Sequence, residues 1–272
     1  MKKKKPASTP HTASSPVIAL LTDFGLEDSY VGTMKGVILS INPNARIVDL
    51  SHHVQPHQVL QAGYLLWSAC SFFPRGSVFL AVVDPGVGSK RKIIAVKSDK
   101  HVFLAPDNGL LNIVLSDRKI VEAVHVDPVK TKDLILQDVS PTFHGRDIFA
   151  PLAAHISLGR RIQSFGEKFR LDHIPSPFVN AKGGTSKPLV IHVDHFGNLV
   201  SNISGALANE IHTLAVGKAL VNRWTQNYDD APDKTPCMIV GSGGLIEIVV
   251  KKDHAAKLLG ASVGMPVTIY WS

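Results

Sequence analysis

The strongest constraint on the fold is a change of hydrophobic period that repeats through the N-terminal half of the chain. Residues 17–22 (VIALLT) form a continuous apolar run of strand length, followed by a polar loop at 23–29. Val31, Met34, Val37, Ile38 and Ile41 then recur at helical spacing up to Asn42 and Pro43. Residues 46–50 read as a second strand, 57–73 as a second helix with Val59, Leu60, Gly63, Leu66 and Trp67 inward, and 77–83 as a third strand. Uninterrupted apolar strands alternating with helices predict an α/β/α sandwich, a mostly parallel sheet with helices on both faces.

Beyond this core, residues 92–96 and 101–105 read as a hairpin joined through Ser98-Asp99-Lys100. Pro106-Asp-Asn-Gly109 marks a turn before a short helical run at 110–115, and 120–126 reads as another strand. Thr142 is placed to cap a helix running through Phe149, Leu152, Ala153 and Ile156 to Gly159. Composition then shifts to Pro, Gly and Ser around 174–187, and short apolar runs at 189–193, 213–216, 238–240, 246–250 and 266–270 follow, with one helical patch at 255–259. The expected organisation is a tail over 1–16, an N-terminal α/β domain over 17–174, a linker over 175–187 and a small C-terminal β-barrel domain over 188–272.

The formal charge of +7 is concentrated at the start, where Lys2 to Lys5 supply four positive charges and no acid occurs before residue 17. The remainder carries +3 and shows no basic stripe interleaved with aromatics, so nucleic acid is not an expected partner. Residues 1–16 begin like a signal peptide but turn to Pro, Ser, Thr and His in place of an apolar core, and they read as a disordered tail. No run approaches the roughly 18 apolar residues of a membrane span. The two cysteines, Cys70 and Cys237, fall in different expected domains, which fits a reduced, cytoplasmic protein.

Candidate chemistry collects at expected strand ends. The run Ala81-Val-Val-Asp-Pro-Gly-Val-Gly-Ser-Lys-Arg91 passes from strand into a glycine-rich turn, holding Asp84 and Arg91 at either end of one loop. Such loops at the carboxyl ends of strands are where open α/β sheets keep their ligands. The pair is a candidate catalytic carboxylate and guanidinium, and equally a surface turn with a weak ion pair. Asp23, directly after the first strand, could accept two hydrogen bonds from ribose hydroxyls or cap the following helix. His144 in Phe-His-Gly-Arg and Asp194 in Asp-His-Phe-Gly-Asn are the other polar clusters. No G-x-G-x-x-G or G-x-x-x-x-G-K-[ST] occurs, so neither fingerprint of dinucleotide or triphosphate binding is present. His52, His53 and His57, and His192 with His195, match no zinc spacing; His52 and His53 read as satisfied or solvated histidines, and no metal is expected.

In these residues the chain resembles the S-adenosylmethionine (SAM) hydroxide adenosyltransferases, relatives of the fluorinating and chlorinating enzymes that act on the same substrate. The resemblance rests on Thr-Asp-Phe-Gly at 22–25, Asn-Pro at 42–43, Asp-Pro-Gly-Val-Gly at 84–88, Ala-Pro-Asp-Asn-Gly-Leu-Leu at 105–111, Pro-Thr-Phe-His-Gly-Arg-Asp at 141–147 and Asp-His-Phe-Gly-Asn at 194–198. It implies an N-terminal α/β domain, a C-terminal β-barrel, and a homotrimer whose sites lie between the N-domain of one subunit and the C-domain of the next. The residues that look like the family's water-activating set are Asp84, Arg91 and His144. Asp23 resembles the ribose-binding aspartate, Asp194 the partner of the methionine amine and Asn198 an adenine contact. Phe143 and Phe196 look like apolar walls, and Ser29 and Ser242 are further substrate-contact positions. Two departures are His254-Ala-Ala in place of Asn-Ala-Ala in the final helix, and Gly241-Ser-Gly-Gly in place of an Asn-Ser segment.

The implied reaction is attack of water or hydroxide on the ribose C5′ of SAM, giving adenosine and methionine with no cofactor. The halogenating relatives carry tyrosine where Asp84 stands and serine where Gly145 stands. Asp84 would repel a halide, so hydroxide is the expected nucleophile. A non-catalytic sensor of adenosine or SAM is the alternative from another class, and a water-activating set is more than a sensor needs.

Overall fold

The computed structural model describes residues 17–171, 174–182 and 185–272; the tail expected over 1–16 lies outside the described residues. The first half runs β1 (Val17–Thr22), α1 (Tyr30–Ile41), β2 (Arg46–Ser51), α2 (Val59–Cys70), β3 (Val78–Val82), β4 (Ile93–Ser98), β5 (Val102–Pro106), α3 (Asn112–Leu115), β6 (Ile120–Val126), α4 (Pro128–Thr131), α5 (Ala150–Ser157) and β7 (Gly166–Lys168). These strands form one sheet in the order β2-β1-β3-β5-β4-β6-β7. Pairing from β2 to β5 is parallel, while β4 and β7 run against their neighbours, so five of the seven strands share a direction. The β4–β5 reversal is the expected hairpin, closed by Ser98 N–H donating to the His101 carbonyl at 2.8 Å.

Because side chains alternate across a strand, the apolar runs feed two cores at once. Ile18, Leu20, Val78, Leu80 and Val82 face α1 and α5 together with Met34, Ile38, Phe149 and Leu152. Ala19, Leu21, Phe79, Ala81 and Val83 face α2 and α3 together with Ala62, Leu66, Leu110 and Val114. The sandwich read from the sequence follows directly from that double burial.

The second half holds β8 (Val190–Val193), β9 (Leu199–Ser204), β10 (Ile211–Val216), β11 (Ala219–Val221), β12 (Pro236–Val240), β13 (Leu245–Val250), α6 (Ala255–Leu259) and β14 (Val267–Trp271). Two antiparallel sheets, β11-β10-β14 and β12-β13-β9-β8, enclose Ile203, Leu214, Val216, Met238, Ile246 and Ile248. Their edges are joined by bridges at Leu189–Pro266 and Trp224–Met238, which closes the two sheets into a barrel.

Two local readings are corrected. Strand β9 was not expected, because Ser201, Asn202 and Ser204 dilute its apolar pattern, yet Ser201 and Asn202 are buried and satisfied. Ser201 Oγ donates to the Ile246 carbonyl at 2.6 Å, and Asn202 Nδ2 donates to the carbonyls of Pro177 and Lys187 at 2.7 and 2.9 Å. The stretch expected as a linker is attached to β9 by Asn202 and by the Val179–Ile203 bridge. Thr142 caps no helix: its Oγ1 lies 3.1 Å from Ser140 Oγ, and the helical segment opens later, on a π turn at Gly145–Phe149 that leads into α5.

The two halves meet where α2 packs on β8. Tyr64 stacks on His192 with ring centres 5.2 Å apart, Gln61 Nε2 lies 3.0 Å from His192 Nδ1, and Trp67 packs on Phe178. Burial holds the His192 imidazole below its usual pKa, and therefore neutral.

Candidate active site

Strand β3 delivers Asp84 into a tight turn in which the Asp84 carbonyl accepts from Val87 N–H and the Gly86 carbonyl accepts from Ser89 N–H. Ser89 Oγ then accepts from Arg91 N–H at 3.2 Å, and the chain curls back so that Arg91 reaches the carboxylate at the start of the loop. Arg91 Nε donates to Asp84 Oδ2 at 2.7 Å and lies 2.9 Å from Oδ1, while Nη2 also pairs with Oδ2. The side chains are 5% and 11% exposed, well beyond the screening of a surface ion pair. The guanidinium also lies over the buried Phe149 ring, 5.5 Å from its centre.

Arg91 Nη2 lies 3.0 Å from His144 Nδ1, which completes a continuous chain from Asp84 through Arg91 to His144. Arginine has no acceptor, so Nη2–H donates and Nδ1 accepts, which leaves the imidazole proton on Nε2. Burial first, and the Arg91 charge second, hold the His144 pKa below its usual value. All three residues of the sequence-predicted set are brought together. The cleft beside them, about 320 Å³, is lined by Arg91 and His144 with Ile93, Val126, Ile135 and Ile148.

The loop carrying His144 is held by residues that sequence reading left unassigned. Asp147, fully buried, accepts the Ser140 N–H on Oδ2 at 2.8 Å and pairs with Arg146, whose guanidinium lies 5.1 Å from the Phe143 ring centre. Both sit in the 141–147 motif, where a charged residue beside a histidine was the available signal. A π turn placed at such a position is a common mark of functional sites. Gly88, at φ +75°, packs against the same loop: a Cβ there would lie 2.5 Å from the Pro141 carbonyl oxygen. Gly145 is also confined, with a Cβ position 3.2 Å from both Met34 Sδ and Phe24 Cε2.

Asp23 sits just past β1, its Oδ2 accepting the His57 N–H at 2.9 Å. Phe143 joins Phe24 and Tyr30 in an edge-to-face cluster with ring centres 5.2 to 6.1 Å apart, next to Gly145. Ser29 precedes α1, its carbonyl accepting from Thr33, and its side chain makes no cap bond.

On the C-terminal side, Asp194 and Asn198 close one short loop. Asp194 Oδ1 accepts Asn198 N–H at 2.8 Å and Oδ2 accepts Asn198 Nδ2 at 2.9 Å. With Phe196, Tyr228, Asp229 and Lys252 they line a cleft of about 640 Å³, and Phe196 is 76% exposed. Ser242 is not in that cleft; it lines a separate groove of about 520 Å³ with Tyr64, Trp67 and Phe72. Within one chain, the cleft of Arg91 and His144 and the cleft of Asp194 and Asn198 are distinct.

Both departures from the family pattern have packing partners. Gly241 backs onto Glu247, whose carboxylate Oε1 would be 1.8 Å from a Cβ at that position. Glu247 is itself buried, accepts from Tyr228 Oη at 3.3 Å, and is held above its usual pKa by burial and by the charge of Asp194. His254 supplies the cap an asparagine would, its Nδ1 accepting Lys257 N–H at 3.2 Å, and its ring fills the space beside Gly197 of the Asp194 loop. Among the described residues, no group of three or more His, Cys, Asp or Glu side chains is arranged to hold a metal ion, and no helix is long and apolar enough to cross a membrane. Cys70 and Cys237 are both free and buried.

Comparison with known proteins places this geometry. The SAM hydroxide adenosyltransferase N-terminal domain matches residues 18–166, and the C-terminal domain of the same family matches residues 189–268. The chain is 33% identical to an "(R)-S-adenosyl-L-methionine hydrolase" of Thermus thermophilus, covering 93% of this chain and 98% of the relative. It is 36% identical to a protein of the same name from Salinispora tropica, with 93% and 97% covered. A "Fluorinase" from an Actinoplanes species is 29% identical over 70% of this chain and 72% of its own length. The crystal structure of an uncharacterized conserved protein from Thermotoga maritima superposes with a TM-score of 0.80 at 34% identity, covering 93% of this chain and 99% of that one. By the two domains matched and by these relatives, the chain belongs to the SAM hydroxide adenosyltransferase family.

Proposed function

We propose that this protein hydrolyses SAM to adenosine and methionine by attack of hydroxide on the ribose C5′. The observation that carries the reading is the hydrogen-bonded chain of Asp84, Arg91 and His144 at the carboxyl end of β3. The names of the hydrolase relatives support the same reaction.

The sulfonium is already a good leaving group, so the site has to solve the nucleophile's problem. Asp84, with both oxygens on Arg91, fixes and neutralises the guanidinium. The remaining guanidinium donors and the Nε2–H of His144 then stabilise hydroxide over water and hold it in line with the C5′–S bond. Hydroxide oxygen forms the new bond to C5′, the C5′–S pair leaves with methionine, and the proton lost by water goes to solvent, so each turnover releases one proton. No cofactor takes part in this displacement, and SAM is the substrate.

Asp23 binds the ribose hydroxyls, Asp194 the methionine ammonium and Asn198 the adenine, with Phe143 and Phe196 as apolar walls and Ser29 as a further contact; Ser242, which lines a separate groove, is left out of the set. The separate clefts within one chain, and the exposure of Phe196, support a homotrimer that joins the N-terminal cleft of one subunit to the C-terminal cleft of the next. The protein acts in the cytoplasm. Halide chemistry is disfavoured by the carboxylate at 84 and by the crowding at Gly145 that a serine would meet.

The test is incubation of the purified protein with SAM, with chromatographic detection of adenosine. The expected result is adenosine and methionine in equal amounts, reduced at least a hundredfold in His144→Ala. Adenosine no faster than in His144→Ala would favour a binding protein, and a 5′-halo-adenosine formed in chloride or fluoride would favour the halogenating relatives.

A further inference from the structure

The mechanism leaves unused a polar chain on the other side of the site that is buried at its inner end and reaches solvent at its outer one. Thr22 Oγ1 lies 2.8 Å from His52 Nδ1, His52 Nε2 lies 3.0 Å from Asp49 Oδ1, and Lys35 Nζ donates to Asp49 Oδ2 at 2.6 Å. Thr22 is fully buried and His52 only 2% exposed. Without a role, a buried imidazole and hydroxyl at the end of a parallel strand are a costly way to fill space. The Nε2 contact lies off the line of a hydrogen bond, so it acts as a charge contact that keeps the proton on Nε2 and leaves Nδ1 to accept from Thr22.

What this chain grips is the loop that bears Asp23. Thr22, immediately before Asp23, also accepts the Phe24 N–H on Oγ1 at 3.2 Å, while the His52 carbonyl accepts the Gly25 N–H at 2.8 Å. Asp23 is thus held on both flanks by one residue of the β2–α2 loop. The same loop then reaches Asp23 directly, through the His57 N–H, and it does so with His57 in the left-handed region at φ +67°. A non-glycine residue held there is strained and needs its surroundings to enforce it.

We propose that His52 is a positioning residue for the ribose-binding carboxylate: it locks the Thr22–Gly25 turn and the β2–α2 loop together so that Asp23 keeps one oxygen on His57 and presents the other to the nucleoside. This rests on the reading of Asp23 as the ribose partner. Asp49 and Lys35 fix the ring, so the chain Lys35–Asp49–His52–Thr22 serves geometry and never touches the reacting atoms.

The test uses the whole 272-residue chain and adenosine as the probe, with binding measured by calorimetry and turnover of SAM in parallel. Thr22→Val, nearly isosteric, and His52→Phe should each weaken adenosine binding and raise KM for SAM about tenfold or more, with kcat changed less than about threefold. Thr22→Ser, and His52→Asn, whose amide oxygen can accept from Thr22, should recover most of the loss. Melting temperatures set the assay below unfolding, so a purely structural role would lower Tm and leave KM alone; that result in Thr22→Val overturns the proposal. Asp23→Asn separates the two readings. If it weakens adenosine binding while Thr22→Val does not, only the positioning role of His52 fails. If Asp23→Asn binds as the wild type does, the ribose reading of Asp23 fails and takes this proposal with it.

Discussion

Arg91 spends three of its five N–H groups on Asp84 and His144, and the two on Nη1 are not engaged by other described residues. A lysine at this position cannot span a carboxylate and an imidazole at once while still offering donors to a nucleophile. Arg91→Lys should lower kcat about 100-fold or more, the loss typical of one preorganised donor, with KM for SAM little changed; steady-state kinetics reads the split. The pH profile has a definite sign. In the proposed mechanism His144 serves as neutral imidazole with Nδ1 accepting, and its pKa is depressed by burial and by Arg91. The active form therefore persists below the usual histidine midpoint of 6.5 and is lost as pH falls through the lowered value. An acid limb in kcat with a midpoint below that of free histidine is expected, and a midpoint above it would contradict the arrangement. Neither the tautomer nor the direction of the shift was legible in the sequence, because the tautomer depends on Arg91, 53 residues away, arriving within 3.0 Å, and the shift depends first on burial and then on that same charge.

Elements differ in how much of themselves they announce. Strands β1 and β3 are buried on both faces and apolar but for Thr22 at the end of β1, so their runs were unmistakable. Strand β9 is equally buried but carries Ser201 and Asn202, whose partners are the Ile246, Pro177 and Lys187 carbonyls; periodicity cannot see satisfaction that comes from distant backbone. The π turn before α5 was also hidden, since its start is fixed by Asp147 holding Ser140 rather than by a local cap. Asp147→Ala would leave the Ser140 N–H without its acceptor and the Arg146 guanidinium without its partner. Its expected cost is about 1–3 kcal/mol, seen as a Tm several degrees lower in thermal unfolding.

At the scale of the whole molecule, the sandwich and the barrel each close their own core, and the candidate site residues divide between them. The sequence carried the candidate trio and the Asp194–Asn198 loop as motifs, but only the family resemblance implied that they belong to different clefts of one chain, because no local pattern encodes that separation. An assembly that joins them predicts complementation. Co-expressed His144→Ala and Asp194→Ala subunits, each inactive alone, should recover about one quarter of wild-type turnover in randomly mixed trimers, because one site in four receives two intact halves. Activity no higher than in either variant alone would place both halves of the site in a single subunit. Between the two loops that carry Asp84, Arg91 and His144 there is also a seam at Gly88, where only a hydrogen atom fits against Pro141. The segments 84–91 and 140–147 consequently behave as one interchangeable cassette: an exchange with a halogenating relative has to carry both across together, since either one transplanted alone would meet a foreign surface at the point of tightest fit.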